Sequence, residues 1–272
     1  MSVTRLGYLY DMHEIPYDSI VAAGALPFER VGDARKPVIL LFHGFTGYPG
    51  DMRYLADRLN AVGYTVVVPR LPGHGTNHED FQSTSARDWW RRAVDSYLDV
   101  AARHEHVVVG GLSMGGLLAT MVASSFPIDG LLLFAPAFRV TNRLVALTPL
   151  LRYLVPPLRV KHPESYDDAE RQYLADEYWN WQWPAQTASL YALMRRGRKE
   201  LSGVDVPTLT VVSEGDETVP VAVADEIDAR LAGDSHYVLR LSESDHVVTN
   251  GCDREAVADA VVQWLAEEDG QE

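Results

Sequence analysis

The chain holds a single cysteine, Cys252, among 272 residues. An intrachain disulfide and a four-cysteine zinc site are therefore excluded. Basic charge is also scarce: 24 Lys and Arg stand against 38 Asp and Glu, a net charge of −14. Nucleic acid and anionic membranes attract basic surfaces, so neither is expected as a partner. Anionic substrates would need a local basic pocket. No apolar run reaches the roughly 18 residues that a membrane-spanning helix needs. Residues 1–8 contain no continuous apolar stretch and do not read as a secretory signal. The expectation is a soluble cytoplasmic protein without integral membrane association, and nothing in the pattern specifies an oligomer.

What is present has globular proportions, with 47% hydrophobic and 23% charged residues. The length suits one compact domain with a modest insertion. Val38–Phe42 is a wholly apolar run ended by His43-Gly44, as in a strand covered on both faces. A helical pattern over 51–62 stops at Gly63, and 64–68 forms a second buried strand. Residues 71–77 are turn-rich. Ser85 and Asp88 have capping-box spacing and open a helix that runs to about Arg103. Strands at 107–110 and 131–134 flank a helix over 114–124. Further helices are expected at 187–201, 221–231 and 254–267, and strands at 208–213 and 237–241. This alternation predicts an α/β fold with a mostly parallel central sheet flanked by helices. Residues before Val38 are expected to add antiparallel strands at one edge. The rhythm breaks over 137–186, which holds an amphipathic stretch around Leu144 to Leu154, a charged helix around Tyr166 to Glu177 and the aromatic cluster 178–183. We read it as a cap insertion in a core formed by 1–136 and 187–272.

The chemistry lies in the loops that follow the strands. Gly111-Leu112-Ser113-Met114-Gly115 has the G-x-S-x-G spacing, between an apolar strand and a helix. A nucleophile on so tight a turn needs glycines at both ends, because side chains there would collide. A serine hydroxyl is a weak nucleophile until a base takes its proton. His246, in the loop after the last strand, lies at the sheet edge where catalytic groups of open α/β sheets gather. His43 and His74 share that edge but sit beside glycines in turns, which favours a structural role. The imidazole in turn needs a carboxylate to fix its tautomer. Asp216 follows a strand and a glycine turn at the same edge. Glu214 still lies at the strand end, and Asp245, adjacent to His246, points away from it. For the oxyanion, the backbone N–H groups of Met114 and Phe45 are the expected donors.

These pieces resemble the α/β-hydrolase fold. They include His43-Gly44-Phe45-Thr46-Gly47, residues 69–76, Asp88-Trp89-Trp90, Gly111 to Gly116, residues 215–220 and Ser244-Asp245-His246-Val247. More narrowly, the chain is similar to the bacterial carboxylesterase and monoacylglycerol lipase group. The likeness runs from about Pro37 to the closing helix and weakens through the insertion. It implies a Ser113, Asp216, His246 triad in the chain order of that fold, with Phe45 and Met114 forming the oxyanion hole. The insertion would then be a small cap over an acyl pocket, and a small-molecule ester the substrate. Neither a metal nor an organic cofactor is expected. Phe45, Leu112, Met114 and Val247 are candidate pocket residues. Trp179, Trp181 and Trp183 either close the pocket or fasten the insertion to the body. The same triad also serves thioester, lactone, amide and carbon–carbon hydrolases, and a non-catalytic binding protein is the remaining alternative.

Overall fold

The computed structural model describes residues 21–159, 169–174, 176 and 179–269. Its seven-stranded sheet comprises β1 (Phe28–Arg30), β2 (Val38–Phe42), β3 (Thr65–Val68), β4 (Val107–Leu112), β5 (Gly130–Phe134), and the later strands β8 (Thr208–Ser213) and β9 (His236–Leu241). They run in the order β1-β3-β2-β4-β5-β8-β9, and β1 alone is antiparallel to its neighbour. Among the described residues, the antiparallel strands expected at one edge before Val38 are represented by the three-residue β1.

Apolar strands build this sheet because each has two faces to bury. Val38, Leu40, Phe42, Val107, Val109, Leu131 and Leu133 face one core, shared with α3 (Ala86–Ala101), α4 (Met114–Ala123) and α7 (Pro184–Glu200). Ile39, Leu41, Val108, Leu132 and Phe134 face the other, shared with α1 (Arg53–Ala61) and α9 (Arg254–Asp269). Local chemistry sets the helix ends. The Ser85 and Asp88 capping box is formed at the start of α3, and Gly63, at φ 97°, ends the turn after α1. Pro184 occupies the first turn of α7, where its missing N–H costs nothing. That helix therefore begins before the expected Thr187. A short α2 (His78–Gln82), absent from the sequence reading, is capped by the Asn77 side chain, which accepts from the Asp80 N–H.

Strand order reverses between β2 and β4, which lie side by side with Phe42 opposite Gly111. Their C-terminal ends mark the switch point where open α/β sheets place their ligands.

Between β5 and α7 lie a 3-10 turn over Arg143–Leu147, α5 (Thr148–Leu151), the two-stranded β6 (Leu158–Arg159) and β7 (Trp181–Gln182), and α6 (Ala169–Leu174). α6 falls within the helix expected around Tyr166 to Glu177, of which 166–168, 175 and 177 lie outside the described residues. The remaining helix, α8 (Val223–Asp228), packs beside β8. Among the described residues no helix is long and apolar enough to cross a membrane.

Candidate active site

Ser113 sits at the turn from β4 into α4, at φ 54° and ψ −114°. This backbone conformation is disfavoured for a side-chain-bearing residue and persists only when its surroundings impose it. Here its N–H donates to the Phe134 carbonyl at 2.9 Å and its own carbonyl accepts from Gly116 N–H at 3.0 Å. Glycine is obligatory on both sides. A Cβ at Gly111 would meet the Gly115 carbonyl carbon at 2.2 Å, and one at Gly115 would meet the Phe42 carbonyl oxygen at 2.1 Å. The close approach of β2, β4 and α4 thus forces Ser113 out at the tip.

His246 and Asp216 reach this tip from the loops after β9 and β8. His246 Nε2 lies 2.9 Å from Ser113 Oγ, and His246 Nδ1 lies 2.7 Å from Asp216 Oδ2. An ionised carboxylate only accepts, so Nδ1 carries the ring proton and Nε2 presents its lone pair to the serine hydroxyl. The second Asp216 oxygen accepts from the N–H groups of Thr218 and Val219, at 2.7 and 3.0 Å. Three fixed partners thereby hold a carboxylate whose side chain is 1% exposed, while the imidazole is 24% exposed. Glu214 is exposed at the strand end, and Asp245 turns outward to accept from Val247 N–H. The structure therefore brings Ser113, His246 and Asp216 together and leaves both alternative carboxylates aside.

A further tie went unseen in the sequence. Ser213 Oγ donates to the Ser244 carbonyl at 2.6 Å, and Ser244 N–H donates to Asp253 Oδ2. The first bond fastens the loop bearing Asp216 to the loop bearing His246, and the second braces the latter against the start of α9. No local pattern marks the first, since its partners are 31 residues apart.

The loop after β2 supplies the facing wall. Gly47 N–H donates to the Gly44 carbonyl at 3.1 Å, closing a turn in which Thr46 adopts φ 56°. His43 donates through Nδ1 to the Gly44 carbonyl and accepts at Nε2 from Leu71 N–H, pinning this turn to the next loop. Burial pushes the His43 imidazole well below its ordinary pKa and that of His74 down to about 4, with the cation of Arg70 adding to both effects. Both rings are neutral and fully buried, as structural histidines must be. No hydrogen bond among the described residues uses the N–H of Phe45 or of Met114. Two unpaired donors are thus left near the Ser113 tip.

Two clefts adjoin these residues. One, of about 350 Å³, is mainly apolar and is lined by Phe45, Leu144, Val145, Leu151, Val155 and the indoles of Trp179, Trp181 and Trp183. The other, of about 470 Å³, is lined by His246 and Val247 together with Tyr48, Asp51, Asp245 and Asn250. Phe45, Thr46 and Trp179 line both. The side chains of Leu112 and Met114 are buried in the two cores and line neither cleft. The tryptophans combine the two roles that the sequence left open. Trp183 is buried against Phe81 and Trp181, and Trp179 Nε1 donates to the Thr46 carbonyl at 2.8 Å while its ring stacks on Tyr48. Among the described residues no group of three or more His, Cys, Asp and Glu is placed to hold a metal ion.

Comparison with known proteins is consistent with this architecture. The family model Hydrolase_4, described as serine aminopeptidase, S33, matches residues 33–251. The chain is 32% identical to a thermostable monoacylglycerol lipase of a Bacillus species, over 92% of this chain and 98% of that one. It is 27% identical to a carboxylesterase of Bacillus subtilis, over 84% and 91% of the two chains. Among solved structures, one described as LipS and LipT, two metagenome-derived lipolytic enzymes, superposes with a TM-score of 0.80 at 27% identity, covering 91% of this chain and all of that one.

Proposed function

The chain belongs to the Hydrolase_4 family of α/β hydrolases, and from that premise we propose that Ser113, His246 and Asp216 are the catalytic triad of an ester hydrolase of the lipase and esterase type. The observation that carries this reading is the unbroken chain from Asp216 Oδ2 through His246 to Ser113 Oγ, at 2.7 and 2.9 Å. Ester cleavage, rather than the peptide cleavage in the family's description, is favoured by the lipase and the carboxylesterase that align over most of their length. The apolar cleft favours it too, as a site for an uncharged short-to-medium acyl chain. Monoacylglycerols fit this description, and residues 137–186 act as the cap that bounds the acyl side.

The mechanism follows from the geometry. His246 Nε2 takes the Ser113 proton as Oγ bonds to the ester carbonyl carbon, and the N–H groups of Phe45 and Met114 receive the resulting oxyanion. Asp216 holds the ring in the tautomer that makes Nε2 the acceptor and stabilises the imidazolium. The imidazolium returns its proton to the departing alkoxide as the ester C–O bond breaks. Water, deprotonated by the same Nε2, then hydrolyses the acyl-enzyme.

Two measurements test the assignment. The wild-type protein should react with a fluorophosphonate probe and hydrolyse 4-nitrophenyl esters, preferring octanoate to acetate. Ser113→Ala should lose probe labelling and lower kcat by on the order of 10⁴ to 10⁶. Hydrolysis that survives this substitution in a purified sample would refute the triad.

A further inference from the structure

A cleft wall needs the faces of an indole and not its N–H, yet that of Trp179 is aimed at the backbone of the turn after β2. We propose that Trp179 is a positioning residue: its N–H holds the turn that presents the Phe45 N–H, so the segment between β5 and α7 sets the rate of the reaction as well as the fit of the acyl chain. This inference rests on the oxyanion role proposed above for Phe45. Residues 44–47 form a tight turn closed by the Gly47 N–H, which donates to the Gly44 carbonyl at 3.1 Å. Its third residue, Thr46, adopts φ 56°. A β-branched residue is an outlier in that region, and such strain persists only where neighbouring groups impose it. The Thr46 hydroxyl donates to the Phe45 carbonyl at 2.6 Å, a bond within the turn itself. From outside, the Trp179 N–H donates to the Thr46 carbonyl at 2.8 Å, and no other hydrogen bond among the described residues reaches that oxygen.

The donor is itself held firmly. Its ring stacks on Tyr48 with centroids 6.0 Å apart, and Trp183, further along the same segment, is 2% exposed and packed edge-on against Phe81. The start of the segment is anchored too, where Thr141 donates through its N–H and its hydroxyl to the carbonyls of Thr218 and Glu217. A carbonyl fixed by such a donor restrains the neighbouring peptide planes, because φ and ψ are the only soft torsions between them. Without the indole N–H, water can still bond to the Thr46 carbonyl, but it does not prescribe the carbonyl's direction. The turn then relaxes from its strained φ, and the Phe45 N–H swings with it. Oxyanion donors act through preorganisation, and a displacement of about 1 Å costs on the order of a hundredfold in rate.

The test removes the N–H and keeps the ring. Benzothienylalanine in place of Trp179 has sulfur where the indole has nitrogen and the same bicyclic shape, and Trp179→Phe is a second variant without the donor. Hydrolysis of 4-nitrophenyl acetate, whose acyl group is too short to fill the apolar cleft, should fall roughly ten- to a hundredfold in kcat/KM in both. With benzothienylalanine the octanoate ester should fall by the same factor, because that ring still lines the cleft. Inhibitor affinity gives a second reading. A trifluoromethyl ketone with an octyl chain is attacked by Ser113 Oγ, whose proton passes to His246, and its carbonyl oxygen becomes the bound oxyanion. The matching methyl ketone offers the same chain without forming the adduct. The benzothienyl variant should lose roughly tenfold or more in affinity for the first and little for the second. Unchanged acetate hydrolysis would overturn the proposal, as would a loss confined to octanoate or equal losses for the two ketones. Wild-type protein that bound the two ketones equally would refute the oxyanion hole itself, and hydrolysis surviving in Ser113→Ala would refute the triad. If both of those readings hold and the variants keep wild-type rates, only the role of Trp179 is wrong.

Discussion

The strands that carry the reactive loops and the segment between β5 and α7 solve the same packing problem in opposite ways. Every residue of β2, β4 and β5 is buried, and the backbones around Ser113 approach so closely that two glycines admit no substitute. In the intervening segment Leu144, Leu147, Leu150, Tyr153, Leu154 and Leu158 all remain exposed, and the regular elements among its described residues are two to six residues long. Placing a nucleophile to within a few tenths of an ångström demands the first kind of packing, because close-packed interiors do not yield. Lining an apolar cleft demands only apolar surface, which loose packing supplies. The geometry around Ser113 and most of the apolar cleft lining are therefore carried by separate parts of the chain.

The contrast can be broken most forcefully at the elbow. Gly115→Ala forces a methyl group into the Phe42 carbonyl, and we expect at least about 3 kcal/mol of destabilisation together with loss of activity. Urea unfolding monitored by circular dichroism checks the first, and a variant of near wild-type stability would show that the elbow is not rigid.

Acid should erode the body next. His74 is neutral in the folded protein down to about pH 4, whereas the unfolded chain takes up its proton near the ordinary imidazole value of about 6.5. Between those limits the unfolded state binds more protons, so stability is complete above about pH 6.5 and falls as the pH drops towards 4. The loss from His74 alone is on the order of 3 kcal/mol, and His43 shifts in the same direction. A urea midpoint that stays flat from pH 6.5 to 4.5 would contradict this.

The smallest effect is expected in the segment. Leu150 is 71% exposed, so Leu150→Ser should change stability by no more than about 0.5 kcal/mol. A larger loss in the same urea assay would mean that this surface is packed more tightly than its exposure indicates.

The same division explains which features are legible in the sequence. The elbow was legible because its constraint is local. Gly111, Ser113 and Gly115 fall within one turn, and the apolar run of β4 before them has a length and composition that only a buried strand explains. His246 and Asp216 were legible through position, each in a loop that follows a strand at one edge. The Ser213–Ser244 tie and the Trp179–Thr46 bond were not, because each joins residues distant in sequence through a backbone carbonyl, which every residue possesses. Leu112 and Met114 were named for the cleft through adjacency to Ser113. Their side chains are buried in the two cores instead. In the segment, α5 and the β6–β7 pair are too short for periodicity to register, and the surrounding protein stabilises them rather than their own propensity.

The hydrogen bond from Trp179 to Thr46 has a consequence for how such a segment can be exchanged. Its acceptor belongs to the turn that presents Phe45, so the segment completes the very loop on which the proposed oxyanion donor sits. A graft from another member of the fold would inherit the strands and the elbow intact. It would also have to bring its own donor to that carbonyl, at a residue 133 positions away in the chain. Transplants without that donor are expected to lose turnover, so the segment and its Trp179 anchor would have to be exchanged together.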